Sequence, residues 1–141
     1  MSPRLGGGAE HDVLQPDDWP APRGYANGIA ARGRLVFVAG QVGWEPVSER
    51  FESDDFAGQA RRALENVVAV LRAGGAEPAH LVRMTWYVTD RDAYVAARRE
   101  LATAWRELVG EHYPAMALVI VAGLLERRAL VEIEATAVVP A

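Results

Sequence analysis

The sequence contains no cysteine and no lysine, and each absence excludes a kind of chemistry. Without cysteine the chain can form no disulfide, and it has neither a thiolate nucleophile nor a sulfur ligand for zinc. Without lysine it cannot form a phosphate-binding loop of the GxxxxGK type, and all 15 of its basic residues are arginine. Functions that depend on thiols, disulfides or such a loop are therefore excluded.

Long apolar runs and metal-binding motifs are missing as well. No stretch approaches the roughly 18 apolar residues of a membrane-spanning helix, and the first residues lack the apolar core of a signal peptide. We therefore expect a cytoplasmic protein with no membrane partner. His11, His80 and His112 do not show the HxH or HExxH spacing of a metal site, so no metal is expected.

Length and composition are those of one ordinary globular domain. The chain has 141 residues, of which 50% are hydrophobic and 24% charged, with a formal net charge of −4. Nucleic acid is not expected as a main partner, because phosphate binding needs a clustered excess of basic residues. Residues 1–23 lack periodicity and are predicted to form an N-terminal arm or loop, and residues 24–141 the single domain.

Hydrophobic periodicity predicts five strands and two helices in the order β-β-α-β-α-β-β. Ser53, Asp54 and Asp55 are candidate caps of the first helix, which ends at Gly74, and Asp90 caps the second, which ends at Gly110. The predicted strands are residues 24–31, 34–42, 81–89, 115–122 and 129–139, with the first two forming a hairpin.

This order predicts a two-layer α+β domain. Right-handed β-α-β connections place both helices on one face of a single sheet and leave the other face uncovered. The strand at residues 115–122 is apolar at nearly every position, whereas an antiparallel sheet facing water would alternate. We therefore expect the uncovered face to mediate self-association.

The last strand carries the first candidate for catalysis. Glu132 and Glu134 share one face of it, and Val131, Ile133 and Ala135 the other. The two acids are either a solvated face paired with arginine or carboxylates that project into a pocket for general acid–base work. Periodicity alone leaves both interpretations open.

Several short motifs occur together in one order along the chain and resemble those of the Rid (RidA/YjgF) family, the reactive intermediate deaminases. The resemblance covers residues 25–139, nearly the whole domain. The motifs are Gly24-Tyr25, Phe37-Val38-Ala39-Gly40-Gln41-Val42, Gln59 with Leu64-Glu65-Asn66, Pro114-Ala115 and Val131-Glu132-Ile133-Glu134-Ala135.

The resemblance implies a fold, an assembly and an activity. The fold is a chorismate-mutase-like α+β domain with a mixed sheet, packed as a homotrimer around a barrel-like core with pockets at the subunit interfaces. Typical deaminating members hydrolyse enamines and imines such as 2-aminoacrylate to a 2-keto acid and ammonia, without a cofactor. A small-molecule substrate is therefore expected.

The resemblance also implies roles for individual residues. The family's acidic residue, which orients water, falls on Glu132, its pocket tyrosine on Tyr25 and its strand-end backbone donor on Gly40. The arginine that grips the substrate carboxylate is replaced by Met116, and Arg98 stands where the family often has asparagine. The predicted substrate-binding residues are Tyr25, Ala39, Gly40, Trp44, Arg98, Met116 and Leu118, and the predicted catalytic residue is Glu132.

The exchange of arginine for Met116 makes simple 2-aminoacrylate an unexpected substrate, since it removes a charge-assisted contact. Three explanations stay open: Arg98, or Arg83 of a neighbouring subunit, replaces the lost arginine; the substrate is larger; or the pocket binds without catalysis. Met116 and Trp44 favour an adaptable apolar pocket. The alternative to a deaminase is a non-catalytic trimeric module, either metabolite-binding or chaperone-like. A ribonuclease is disfavoured by the acidic composition.

Overall fold

The computed structural model describes residues 11–141, and its helices and strands follow the hydrophobic periodicity closely. Nine of its ten elements lie within residues 28–140, and one short strand precedes them. In chain order they are β1 (Asp12–Leu14), β2 (Gly28–Ala30), β3 (Gly33–Val42), α1 (Phe56–Ala73), a 3-10 turn (Pro78–His80), β4 (Leu81–Val88), α2 (Arg91–Ala96), α3 (Arg98–Leu108), β5 (Ala115–Ile120) and β6 (Val131–Pro140).

The main sheet has four strands in the order β3-β6-β4-β5. Strands β4 and β5 are parallel, and the other two pairs are antiparallel, so the sheet is mixed, as predicted. Helix α1 packs on β3 and β6 and also against α3, which places the long helices together in one layer. The α+β fold class is confirmed.

Helix α1 forms where the sequence predicts it and for the predicted reasons. The Asp55 carboxylate accepts a hydrogen bond from the Gly58 amide at 3.1 Å and so satisfies a free donor of the first turn. Its apolar stripe is fully buried against the sheet, and Gly74, the predicted end of the helix, is the C-cap. The stripe consists of Ala60, Leu64, Val67 and Leu71.

The second predicted helix is divided in two. Asp90 caps α2, because its carboxylate accepts hydrogen bonds from the amides of Asp92 and Ala93. Ala97 then leaves helical geometry, with φ −94° and ψ 5°, and α3 starts at the next residue. The Leu101 amide still donates to the Ala97 carbonyl at 2.9 Å, so the apolar stripe continues through the break. Periodicity cannot detect such a break.

The predicted hairpin of residues 24–31 with 34–42 is wrong. Strand β2 pairs with β1 rather than with β3, so regular structure also begins earlier than predicted, inside the N-terminal arm. Gly33 is not a turn residue but the first residue of β3, paired with Pro140. A Cβ atom at Gly33 would lie 2.0 Å from the Val139 carbonyl oxygen, so glycine permits this close approach of β3 to β6.

The face of the sheet opposite α1, here called the open face, is partly apolar. On β3 it carries Leu35 and Phe37, of which Phe37 is 71% exposed. Its centre is polar, because Glu132, Glu134 and Tyr87 project there from β6 and β4. In the described part of the chain, no helix is both long and apolar enough to cross a bilayer.

Candidate functional site

A cavity of about 370 Å³ lies at the edge of the sheet, between α3, β5 and residues 23–25. Five aromatic side chains contribute to its wall, and we call it the aromatic cavity. The rings of Trp105 and Tyr113 are stacked, with an interplanar angle of 4° and centroids 5.9 Å apart. The aromatic residues of the wall are Tyr25, Trp86, Tyr94, Trp105 and Tyr113.

The register of β5 explains why its side chains reach this cavity. Met116 lies opposite Met84 and Leu118 opposite Trp86 in the parallel pair, so both belong to the face that Met84 and Trp86 bury. Because β5 is an edge strand, α3 covers this face incompletely and leaves Leu118 38% exposed.

Tyr25 is brought to the cavity by a tether to the start of β5. The Ala26 amide donates a hydrogen bond to the Pro114 carbonyl at 2.9 Å, and Ala26 forms a parallel bridge with Ala115. Gly24 has a φ of +78°, which glycine adopts without strain, and no heavy atom of residues 11–141 would lie within 4 Å of a Cβ there. The tether places Tyr25, which is 41% exposed, in the wall of the cavity.

The charge along the aromatic cavity is positive. Among the described residues three arginines line it, Arg23, Arg98 and Arg106, and no Asp or Glu does. Within residues 11–141, neither Arg23 nor Arg98 forms a salt bridge. An exposed guanidinium without a carboxylate partner is suited to bind an anionic ligand, above all a carboxylate.

A second group of predicted residues surrounds Glu132 on the open face. Strand β3 has a bulge there, because Ala39 and Gly40 lie opposite the single residue Glu134 of β6. The half-buried Glu132 side chain crosses Gly40 closely: an added Cβ at Gly40 would lie 2.8 Å from the Glu132 Cδ and 2.9 Å from its Oε1. Gly40 thus leaves the space that the carboxylate group of Glu132 occupies.

Glu134, the second acid of the strand, is engaged by a tyrosine. The Tyr87 hydroxyl donates a hydrogen bond to Glu134 Oε1 at 2.7 Å. This hydrogen bond, with smaller contributions from desolvation and from the charges of Glu134 and Glu132, raises the pKa of Tyr87 above its ordinary value. The two acids therefore differ in their hydrogen bonding, because the Tyr87 hydroxyl donates to Glu134 and not to Glu132.

The sheet separates the two groups within one chain. Tyr25, Arg98, Met116 and Leu118 line the aromatic cavity on the side of α3. Ala39, Gly40 and Glu132 lie together at the bulge, and Glu132 is on the open face. A single subunit therefore does not bring Glu132 to the aromatic cavity.

Trp44 belongs to neither group. Its ring contacts that of Phe51 with centroids 5.9 Å apart, and its carbonyl accepts hydrogen bonds from Arg62 and Asn66 of α1. Arg83, a suggested replacement for the lost arginine, is exposed on β4 and does not line the cavity.

Sequence reasoning missed several residues of the cavity wall. Arg23 was assigned to the arm, although its position next to Gly24-Tyr25 is a signal that could have found it. Arg106 lies eight residues after Arg98, a spacing that places both on a similar side of a helix. Its position at the cavity, however, depends on where α3 crosses β5. For residues 11–141, no group of three or more His, Asp or Glu side chains could hold a metal ion.

Comparisons with known proteins agree with the geometry. The family described as Endoribonuclease L-PSP matches residues 17–139. A crystal structure of the Rid family protein YyfB from Yersinia pestis, of unknown function, superimposes with a TM-score of 0.81 at 30% identity, covering 92% of this chain and 99% of that one. The chain belongs to the Rid family. This confirms the resemblance seen in the motifs and the fold that it implies.

Relatives of known sequence extend the comparison. A RutC family protein from Pyrococcus horikoshii is 32% identical over 127 residues, which are 89% of this Rid chain and 96% of that protein. The human 2-iminobutanoate/2-iminopropanoate deaminase is 28% identical over 105 residues, 74% of this chain and 73% of the human protein. The Rid chain thus spans most of the length of both relatives.

Proposed function

We propose that this Rid protein is a cofactor-free hydrolytic deaminase of an enamine or imine, and that it works as a homotrimer. The observation that carries the proposal is the position of Glu132, which lies across Gly40 on the open face of the sheet, where a second subunit can approach it. The human relative, by its name, deaminates 2-imino acids, which supports this class of substrate.

In this proposal each active site is shared between two subunits. The aromatic cavity of one subunit holds the substrate, and Glu132 of a neighbour supplies the carboxylate. Exposed apolar residues on the open face, among them Leu35 and Phe37, support association of the sheets, because large apolar patches rarely stay in contact with water. The arrangement accounts for the separation of the two groups in one chain.

The reaction needs only water and proton transfer. An enamine first takes up a proton at carbon and loses one from nitrogen, and so becomes the imine. The oxygen of water then bonds to the imine carbon, while Glu132 accepts the proton of water and passes it to nitrogen. A second proton moves from oxygen to nitrogen, the carbon–nitrogen bond breaks, and ammonia and a ketone leave. One imine and one water give one carbonyl product and one ammonia.

Met116 makes simple 2-aminoacrylate a poor candidate for the substrate. It is half-buried in the cavity wall at the position where the resemblance implies an arginine, so the wall lacks a charge there. Arg23 and Arg98 lie along the same cavity and supply positive charge from other elements. The carboxylate of the substrate therefore binds differently from that of typical family members.

Glu132→Gln tests the catalytic role, because glutamine keeps the shape of the side chain and loses the base. We expect turnover of an imino acid to fall by about 100-fold or more, in line with the loss of a general base, with the oligomer unchanged by light scattering. Glu134→Gln is the matched control on the same strand and should keep its turnover. Full activity of Glu132→Gln would remove Glu132 from the mechanism.

A non-catalytic trimeric module that binds a small metabolite, or acts like a chaperone, is the second candidate. It is favoured by the cavity wall, to which residues 11–141 of one chain contribute no acidic side chain. Saturable binding of a 2-keto acid without turnover of any enamine or imine would support it over the deaminase.

We place this activity in the cytoplasm, with no nucleic acid or membrane partner. Ribonuclease activity, which the description of the matching family names, is not proposed. The chain has a net charge of −4 and no lysine, whereas RNA binding depends on clustered positive charge.

A further inference from the structure

We propose that the substrate is a 2-imino acid, or its enamine tautomer, with a large apolar or aromatic side chain. This inference rests on the deaminase function proposed above and names the substrate class of the same site. The side chain of the substrate occupies the aromatic cavity, and its carboxylate binds at Arg23 and Arg98.

The interior of the cavity is apolar and made of flat surfaces. Trp86, Leu101 and Trp105 are buried, and Trp105 is held in place by its stack on Tyr113. Planar rings provide large apolar surfaces and pair favourably with another ring in stacked or edge-on geometry. The interior therefore stabilises an aromatic or long aliphatic side chain and offers little to a charged one.

The size of the cavity agrees with a large ligand. At about 370 Å³ it falls within the range of roughly 300–1,000 Å³ that is usual for pockets of drug-sized molecules. A three-carbon imino acid would leave much of this apolar wall in contact with water. A ligand with a phenyl or isobutyl group would cover that wall and gain the free energy of apolar burial.

The positive charges lie where a carboxylate would remain after the side chain has entered. Arg23 and Arg98 are both exposed, while the tryptophans of the wall are buried. The two arginines come from different elements, the segment before Tyr25 and the start of α3, and so can approach a carboxylate from two sides. A buried apolar end and a charged mouth fix the orientation of the ligand.

Met116 distinguishes this cavity from one that binds small imino acids through an arginine. An arginine at this position would bring a charge into the wall beside Leu118 and opposite the rings. Methionine removes the charge and leaves a flexible apolar surface that adapts to a bulky group. The absence of an arginine at Met116 and the presence of Arg23 and Arg98 therefore both fit a larger ligand, whose carboxylate lies farther from Met116.

The test compares imino acids of increasing size. D-Amino acid oxidase with catalase generates them from D-alanine, D-leucine and D-phenylalanine, and semicarbazide traps what the protein has not hydrolysed. We expect kcat/KM of the natural protein to be at least about tenfold higher for the phenylalanine-derived than for the alanine-derived imino acid, as expected when extra apolar burial is used for binding.

Two variants test the positions of the ends of the ligand. Arg98→Gln should lower kcat/KM about tenfold, mainly through KM, because a charge-assisted contact is lost. Arg99→Gln, the same change at the next residue of α3, lies outside the cavity wall and should leave kcat/KM unchanged. Met116→Arg should reduce the preference for the phenylalanine-derived imino acid.

The outcomes separate this inference from the proposed function. If the alanine-derived imino acid is hydrolysed best, the substrate class is wrong and the deaminase function stands. If none is hydrolysed but phenylpyruvate, and not pyruvate, quenches tryptophan fluorescence saturably, the deaminase function fails and the ligand class stands. If Arg99→Gln and Arg98→Gln behave alike, the carboxylate does not bind at Arg98.

Discussion

Gly40 sets the position of the Glu132 carboxylate, because it has no side chain and the carboxylate occupies the space where one would lie. A methyl group at Gly40 would come within 2.9 Å of three atoms of the Glu132 side chain, closer than such atoms normally approach. Those atoms are the end of a flexible side chain, so Gly40→Ala should displace the carboxylate and leave the fold intact. We expect kcat to fall about 10- to 100-fold, the cost of misplacing a catalytic group by roughly 1 Å.

The control for this variant is Gly123→Ala. An added methyl group at Gly123 would meet no heavy atom within 4 Å among the residues that the structure describes. Its kcat should equal that of the natural protein, and both variants should unfold at the same urea concentration. An unchanged kcat in Gly40→Ala would show that the position of Glu132 does not limit the reaction.

The single residues of the site were predictable to different degrees. The alternation of the last strand places Glu132 and Glu134 on one face, and the structure keeps them there. Which of the two is available depends on Tyr87 of another strand, and no spacing in the sequence shows that its hydroxyl donates to Glu134. Arg106 becomes visible only once α3 and β5 are packed, whereas Arg23 adjoins the motif Gly24-Tyr25 in the sequence.

At the scale of helices and strands, His112 lies in the segment between α3 and β5 and connects it to the start of β4 by hydrogen bonding. Its buried Nε2 donates a hydrogen bond to the Leu81 carbonyl at 2.6 Å, and its own carbonyl accepts one from Trp105 Nε1 of α3. Burial, and to a smaller extent the charges of His11 and His80, lower the pKa of His112, although its bond to Leu81 acts the other way. The folded protein therefore favours the neutral ring.

This lowered pKa predicts a dependence of stability on pH. Below the ordinary histidine pKa of about 6.5, the unfolded chain binds a proton that the folded chain does not, so the free energy of unfolding decreases as pH falls. Urea unfolding at pH 7.5 and pH 5.5, at one protein concentration, should show this decrease. It should be smaller in His112→Gln, and an equal decrease in both proteins would contradict the account.

The elements themselves were predicted best where one face is buried along their whole length. The stripe of α1 and the alternation of β4 are complete over many residues, so their boundaries differ from the prediction by a residue or two. The pairing of β2 was predicted wrongly, because three residues carry too little pattern to choose between β1 and β3. The tether of Ala26 to Pro114 has no signature in the sequence either.

At the scale of the whole molecule, each proposed active site needs two subunits. Within one chain the sheet lies between Glu132 and the aromatic cavity, so one subunit cannot assemble the site proposed above. In a closed ring of identical subunits, the same pair of surfaces meets at every interface. A variant that lacks one group can therefore be complemented by a variant that lacks the other.

Co-assembly of two inactive variants tests this claim most directly. Glu132→Gln removes the carboxylate, and Ala102→Trp fills the cavity from the exposed side of α3. Each variant alone should be inactive on the imino acid that the natural protein hydrolyses best. When both are co-expressed in equal amounts and assemble at random, about one quarter of the sites combine an intact Glu132 with an intact cavity, so about one quarter of the natural activity should return. Mixed oligomers that stay as inactive as the separate variants would contradict the shared site.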